Sequence, residues 1–380
     1  MLIKNAMIYN NAIRDFLRAD MRIDNGIITE IGKEVALGSD DAFDANGLAM
    51  VPGLVDVHTH GRAGCDFVDV PSDKLSVVAK DYARHGITTV MPTIASAPFE
   101  QMCAAAERIN MFSPQQDGAD LCGVHLEGRY LNPKRKGAHA DALICSLNAE
   151  ELDTDVFRMC SSLHISAAYE LDSDGSFASK ALQMGATLAL GHTDATYAQA
   201  KTAEKRGVTA YTHLFNAMPP LHHRDGGAVC AALNGDRFAE LICDGIHISP
   251  EMIRLAYSCL GYKRTVLVSD SMEATGCDDG EYSIAGNPVT VKDGRAYTHE
   301  GALAGSTLTL DKAVNNLIDF CDIPLSDAIL CATENPSREI GVFDTRGSLE
   351  VGKRADLLLI NGTKKLDIRR VMVNGNFLEI

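Results

Sequence analysis

Between residues 53 and 270 the chain repeats one pattern eight times. A short apolar run ends in polar residues and in most cases gives way to a helical stretch. The runs are GLVDVHTH, ITTVMPTI, LCGVHLEG, HISAAYEL, TLALGHT, TAYTHLF, AELICDGIHI and RTVLVSD, and the stretches between them include SDKLSVVAKDYARHG and SPEMIRLAYSCLG. Strands that alternate with helices form a parallel sheet, because each connection must cross back over the sheet before the next strand begins. Eight such units are the number that closes a (β/α)8 barrel. The helical signal is weakest after the third and seventh runs. After the eighth, EYSIAGNPVTVKDGRAYTHE reads as a hairpin able to cover a site at the barrel mouth.

The two ends of the chain read differently. Residues 1–49 give short alternating segments, with Asn25-Gly26 as a hairpin signal, and residues 345–380 answer with SLEVGKRADLLLI and RRVMVNGNFLEI around glycine turns. The expected fold is therefore α/β. A (β/α)8 TIM-like barrel spans residues 50–344, with a small β-sandwich domain formed by both chain ends, 1–49 and 345–380. A length of 380 residues suits a barrel of about 250 residues with additions. The formal charge of −16 argues against nucleic acid or an anionic membrane as a partner, since both reward clustered Lys and Arg. The nearest two of the eleven cysteines, Cys321 and Cys331, are ten positions apart, so neither a CxxC metal site nor a disulfide framework is expected. Reduced thiols and a start interrupted by Lys4, Arg14, Asp15 and Arg18 lead to the expectation of a cytoplasmic protein.

On this frame the polar residues fall at one end of the strands. His58 and His60 close the first run, Glu127 the third, His192 the fifth, His213 the sixth and Asp270 the eighth. In a barrel the C-terminal strand ends converge on one face, and residues i and i+2 of a strand point the same way. Four imidazoles and two carboxylates meeting there make a donor set for Zn²⁺ or Fe²⁺. Singly, each has an ordinary explanation: an exposed strand end, a satisfied core histidine, or, for Asp270, a helix cap. Their joint choice of one end is what those explanations lack. By alternation, Asp56 and His125 share the inner strand faces and read as groups that orient the ligands.

HxH after the first strand, single histidines after the fifth and sixth and aspartate after the eighth resemble the amidohydrolase superfamily. GVHLEG, LNPKRKGAH, GHTDAT, THLFNAMPPLHHRDGG, DGIHISP, LVSDSMEATG and LAGSTLTLDKAV resemble, in order, the motifs of N-acetylglucosamine-6-phosphate deacetylases. ENPSREIG and GSLEVGKRADLLLI extend the likeness to the C-terminus.

This resemblance implies that Glu127 takes a central ligand position. His192 and His213 complete one metal position, and His58, His60 and Asp270 surround a second. One or two divalent ions are implied, with two favoured by the intact HxH. The implied substrate contacts are His139, His247, Asn216, Ala217 and Leu303, with Arg224 for phosphate, and the implied assembly is a homodimer in which Arg224 reaches the neighbouring site. The implied reaction is hydrolysis of the acetamide of N-acetyl-D-glucosamine 6-phosphate. An ion polarises the carbonyl, water on an ion, its pKa lowered to about 7, supplies hydroxide, and Asp270 acts as general base and then acid. The alternatives are hydrolysis of a related acylated amino sugar or a cyclic amide, a deaminase with the same metal ligands, or a non-catalytic relative. Lys134, Arg135 and Lys136 read as a solvated basic loop. The chain departs from the family pattern at Arg129, where relatives often carry proline, and in AAYELDSD after the fourth strand.

Overall fold

The computed structural model describes residues 1–38, 41–113, 117–284 and 286–379. Eight parallel strands form the larger body: β1 (Leu54–Thr59), β2 (Ile87–Ala95), β3 (Val124–Glu127), β4 (Leu163–Ala167), β5 (Thr187–Leu190), β6 (Val208–Tyr211), β7 (Phe238–Ile242) and β8 (Thr265–Val268). Each pairs with the next in sequence order. The ring is drawn together where the Asp270 amide donates to the His58 carbonyl at 2.9 Å, between the ends of β8 and β1. A (β/α)8 barrel with a separate sheet built from both chain ends is thus what the chain forms.

The strands stay parallel because helices return the chain, among them Leu75–Arg84, Phe99–Asn110 and Leu310–Cys321. After β3 only single turns of helix form, the 3-10 turns Pro133–Arg135 and Asp141–Leu143 and the α-helical turns Ala149–Leu152 and Asp155–Arg158, as the weak helical signal there suggested. The seventh connection forms the helix that SPEMIRLAYSCLG indicates: Pro250–Arg264, 15 residues long and interrupted near its end by Gly261. The eighth unit is followed by three strands rather than a simple hairpin: β9 (Gly280–Ile284), β10 (Asn287–Lys292) and β11 (Arg295–Thr298). A second tight turn at Asp293-Gly294, both at positive φ, adds the third strand. This meander packs Ile284, Val289, Val291 and Ala296 onto Met272 and Ala304, and Asn287 Nδ2 donates to the Ala138 carbonyl, so it leans over the barrel mouth.

The smaller sheet runs through Asn376–Phe377, Ile368–Val373, Leu357–Ile360, Ala49–Pro52, Leu2–Asn10, Asp15–Asp24 and Ile27–Gly32, with Ala42–Asp44 also on Leu2–Asn10. It continues through Pro52, three residues past the boundary read from the sequence. Asn25-Gly26 turns with both residues at positive φ, as an Asn-Gly hairpin requires, and Asn374-Gly375 repeats the device. The two tips meet: Ala355 donates to the Gly26 carbonyl and Gly375 to the Ala355 carbonyl. The sheet encloses an apolar cluster that includes Ile3, Met21, Ile28, Met50, Leu357, Leu359 and Met372. Among the described residues no helix is long and apolar enough to cross a membrane.

Candidate metal centre

Alternation along β1 sends Val55 and Val57 into the apolar layer shared with the helices and leaves His58 facing the barrel interior. His60 follows one residue beyond the strand. Glu127 is the last residue of β3, while His192, His213 and Asp270 each lie two residues past β5, β6 and β8. These last three are held at positive φ, 45°, 27° and 48°, a conformation that costs a non-glycine residue free energy and that surrounding structure must impose. Such strain concentrates at functional sites.

The side chains converge on Glu127. Its Oε1 lies 2.8 Å from His213 Nε2 and 3.2 Å from His192 Nε2. Its Oε2 lies 3.2 Å from His58 Nε2 and 3.1 Å from His60 Nε2. Asp270 Oδ1 completes the second group, 3.2 Å from His60 Nε2 and 3.6 Å from His58 Nε2. One carboxylate thus divides its two oxygens between two pairs of imidazoles.

All six residues are buried. Burial alone would raise both carboxyl pKa values, but His58 and its neighbours outweigh it. Glu127 is held well below the usual carboxylate range, and Asp270 is held at about 2. The imidazoles around them thus keep both carboxylates ionised although they are buried.

The donor set fits a divalent cation. Neighbouring ligands of one tetrahedral ion at about 2.1 Å lie roughly 3.4 Å apart, and the separations here are 2.8–3.6 Å. His58 Nε2 makes no hydrogen bond despite standing beside two carboxylates. Its Nδ1 lies 2.9 Å from Glu240 Oε2, and His192 Nδ1 lies 2.8 Å from the Arg135 carbonyl. Each contact fixes a ring with Nε2 toward the centre, the arrangement usual for ligating histidines.

Above this floor is a cavity of about 240 Å³ lined by His60, Glu127, His192, His213 and Asp270 together with His139, Asn216, Ala217, His247 and Leu303. The volume is just below the roughly 300–1,000 Å³ of drug-sized ligand sites, which suits one sugar rather than a polymer. Ile284 of the meander and Gly305 close its rim. Gly137, of the KGAH stretch, is at positive φ, and a Cβ there would lie 3.0 Å from His192 Cε1. His139 Nδ1 pairs with Ser96 Oγ at 2.8 Å; burial and His192 hold its pKa down to about 3, so the ring is neutral. His247 Nδ1 pairs with Asp244 Oδ2 at 2.7 Å.

Arg224 stands apart from the residues brought together. It is exposed in the loop 221–225, its Nη1 2.9 Å from His223 Nε2, and it does not line the cavity of its own chain. Lys134 and Arg135 pair with Asp194, and Lys136 pairs with Asp141, as a basic loop would. Arg129 lies 3.3 Å from Glu151 and does not line the cavity. Asp56 accepts from the amides of His58 and Ser269, tying β1 to the end of β8. His125 packs edge-on against His58 with ring centroids 4.7 Å apart.

Glu240, the residue that holds His58, escaped the reading of the sequence. The available signal was a lone carboxylate inside the apolar run of β7, on the same face as Ile242.

Residues 49–378 match the amidohydrolase family. The N-acetylglucosamine-6-phosphate deacetylase of Vibrio furnissii is 35% identical over 359 residues, covering 93% of this chain and 89% of that relative. The N-acetylgalactosamine-6-phosphate deacetylase of Escherichia coli O157:H7 is 34% identical over 359 residues, 93% of each chain. Among solved structures, a mutant N-acetyl-D-glucosamine-6-phosphate deacetylase from Mycobacterium smegmatis, in complex with N-acetyl-D-glucosamine-6-phosphate, superposes with a TM-score of 0.89 at 28% identity. The match covers 99% of this chain and 98% of that one.

Proposed function

The chain belongs to the amidohydrolase family, and from that premise we propose that it hydrolyses the acetamide of N-acetyl-D-glucosamine 6-phosphate to D-glucosamine 6-phosphate and acetate. The observation that carries this reading is the division of the Glu127 oxygens between two imidazole pairs, with Asp270 beside one of them, at the floor of a sugar-sized cavity.

His192, His213 and Glu127 Oε1 would hold one divalent ion, and His58, His60, Asp270 and Glu127 Oε2 a second. The two-sided use of Glu127 favours two ions, of zinc or iron. Bound there, the metal supplies a Lewis acid for the amide carbonyl and lowers the pKa of water toward about 7. The protein's own part is proton movement and alignment. Asp270, ionised at neutral pH, takes a proton from the attacking water. It then hands that proton to the departing nitrogen, which must leave as an amine rather than as an amide anion.

His139 is held neutral with Nδ1 engaged by Ser96, and the Nδ1 of His247 is engaged by Asp244. Each leaves Nε2 for a sugar hydroxyl or the acetyl oxygen. Asn216, Ala217 and Leu303 would shape the pocket around the ring. Arg224 would take the phosphate, its planar fork matching the phosphate oxygens. Its position on an exposed loop fits a role at the site of a partner subunit in a homodimer. For the fold, residues 1–52 and 345–380 act as one unit and the barrel begins at Gly53. The eleven unpaired cysteines accord with a cytoplasmic enzyme.

The 34% identity to an N-acetylgalactosamine-6-phosphate deacetylase supports a second reading, the 4-epimeric sugar. The test is amine release from N-acetylglucosamine 6-phosphate, N-acetylgalactosamine 6-phosphate and unphosphorylated N-acetylglucosamine. A preference for the first supports the proposal and a preference for the second favours the epimer. Equal rates with and without phosphate would remove the role given to Arg224.

A further inference from the structure

Beneath the centre just described, the barrel holds another buried group of ligating side chains: His164 on β4, Glu240 on β7 and Glu339 at the end of the helix Glu334–Glu339. One ligating atom from each lies within 4.8 Å of the others. The side chains of His164 and Glu240 are 0% exposed, and Glu339 as a residue is 1% exposed. Four of their polar atoms have no hydrogen-bond partner: His164 Nε2, Glu240 Oε1, and Glu339 Oε1 and Oε2. Buried groups of this kind are nearly always satisfied, so four together require an explanation.

The remaining atoms of the group are engaged in a way that aims the free ones inward. His164 Nδ1 lies 2.7 Å from Thr187 Oγ1, which fixes the ring and leaves Nε2 toward Glu240. Glu240 Oε2 lies 2.9 Å from His58 Nδ1 and accepts the His213 amide at 3.0 Å, which leaves Oε1 toward His164. This is how ligating histidines and carboxylates are ordinarily held from behind.

A single proton shared by the two carboxyl groups would satisfy one donor and one acceptor. It would leave His164 Nε2 and a Glu339 oxygen unmet. The 4.0 Å between His164 Nε2 and Glu240 Oε1 is too long for a hydrogen bond but leaves room for an ion between them. We propose that His164, Glu240 and Glu339 bind a further divalent cation, sealed within the barrel below the catalytic centre. One imidazole and two carboxylates suit Zn²⁺, Mn²⁺ or Fe²⁺. Because the site is closed, the ion enters as the chain folds and its role is to hold β4, β7 and the 334–339 helix together. It neutralises carboxylates that would otherwise be isolated in an apolar setting. This assignment does not depend on the reaction proposed above.

The test is expression of the full chain in zinc-supplemented medium, so that zinc is present as the chain folds, followed by crystallisation with diffraction recorded on both sides of the zinc absorption edge. The expected result is an anomalous peak ligated by His164, Glu240 and Glu339. The upper centre serves as a separate control in the same map, so the two readings fail independently. No peak at the lower position overturns the proposal. The Glu339→Gln variant, which changes no ligand of the upper centre, should carry one divalent ion fewer per chain by elemental analysis. An unchanged count would also overturn it, and if that variant fails to fold, the wild-type map alone decides.

Discussion

Two clusters of the same residue types are stacked in one barrel, and they differ in what they face. In the upper cluster every carboxylate oxygen of Glu127 meets an imidazole, both carboxyl groups are held ionised, and the group opens onto a cavity. In the lower cluster Glu339 meets no donor, and burial together with Glu240 raises its pKa well above the usual range. Glu240 joins the two, with one oxygen toward His58 and the other toward His164. A barrel interior is ordinarily filled by branched apolar side chains. Here the layers below the mouth carry His125, Ser166, Thr212, His164 and Glu240, with His125 Nε2 2.7 Å from Ser166 Oγ and that oxygen 2.6 Å from Thr212 Oγ1. The small terminal sheet also buries a carboxylate, Asp20, but its oxygens accept the backbone amides of Asn5 and Val35. The difference teaches that buried polarity in the barrel serves to position ligands, whereas in the small sheet it serves the local backbone.

The comparison can be broken at several depths. Asp270→Asn should lower turnover by roughly 10²–10⁴-fold, the usual worth of a positioned acid–base group, while circular dichroism stays unchanged; near-normal turnover would remove Asp270 from the mechanism. Glu240→Gln weakens the charge that orients His58 and should lower metal affinity at the upper centre by about 10–100-fold, read by competition with a chromogenic chelator. Arg224→Ala should raise KM for the phosphorylated sugar by roughly 10–100-fold, the loss of a charged hydrogen-bonding partner, with kcat little changed; a fall confined to kcat would contradict a binding role. Glu339→Gln should leave turnover within about two-fold, since the lower cluster touches no substrate, and a collapse of turnover in the folded variant would merge the two clusters into one functional unit.

Much of the upper centre was legible because strand ends are legible. An apolar run that stops at HTH, LEG, GHT or VSD marks both the strand and the direction of its end, and barrel closure does the rest. The lower cluster was not legible for the opposite reason. Glu240 and His164 sit inside β7 and β4, where the apolar pattern conceals which residues face inward, and Glu339 lies on a helix outside the eightfold pattern, 99 positions from Glu240. The third meander strand depended on Asp293-Gly294, a turn signal as strong as Asn25-Gly26 but embedded in a segment read as one hairpin. Arg224 took its phosphate role and its place at a neighbouring site from the family likeness rather than from any pattern of its own, and it does not line the cavity of its own chain.

The central claim is that the upper cluster works through bound metal on a phosphorylated N-acetyl amino sugar. It is tested most directly by stripping the protein with a chelator and following amine release from N-acetylglucosamine 6-phosphate before and after adding Zn²⁺ or Fe²⁺. The account predicts no measurable release from the stripped protein and recovery on metal addition; undiminished release from metal-free protein would contradict it.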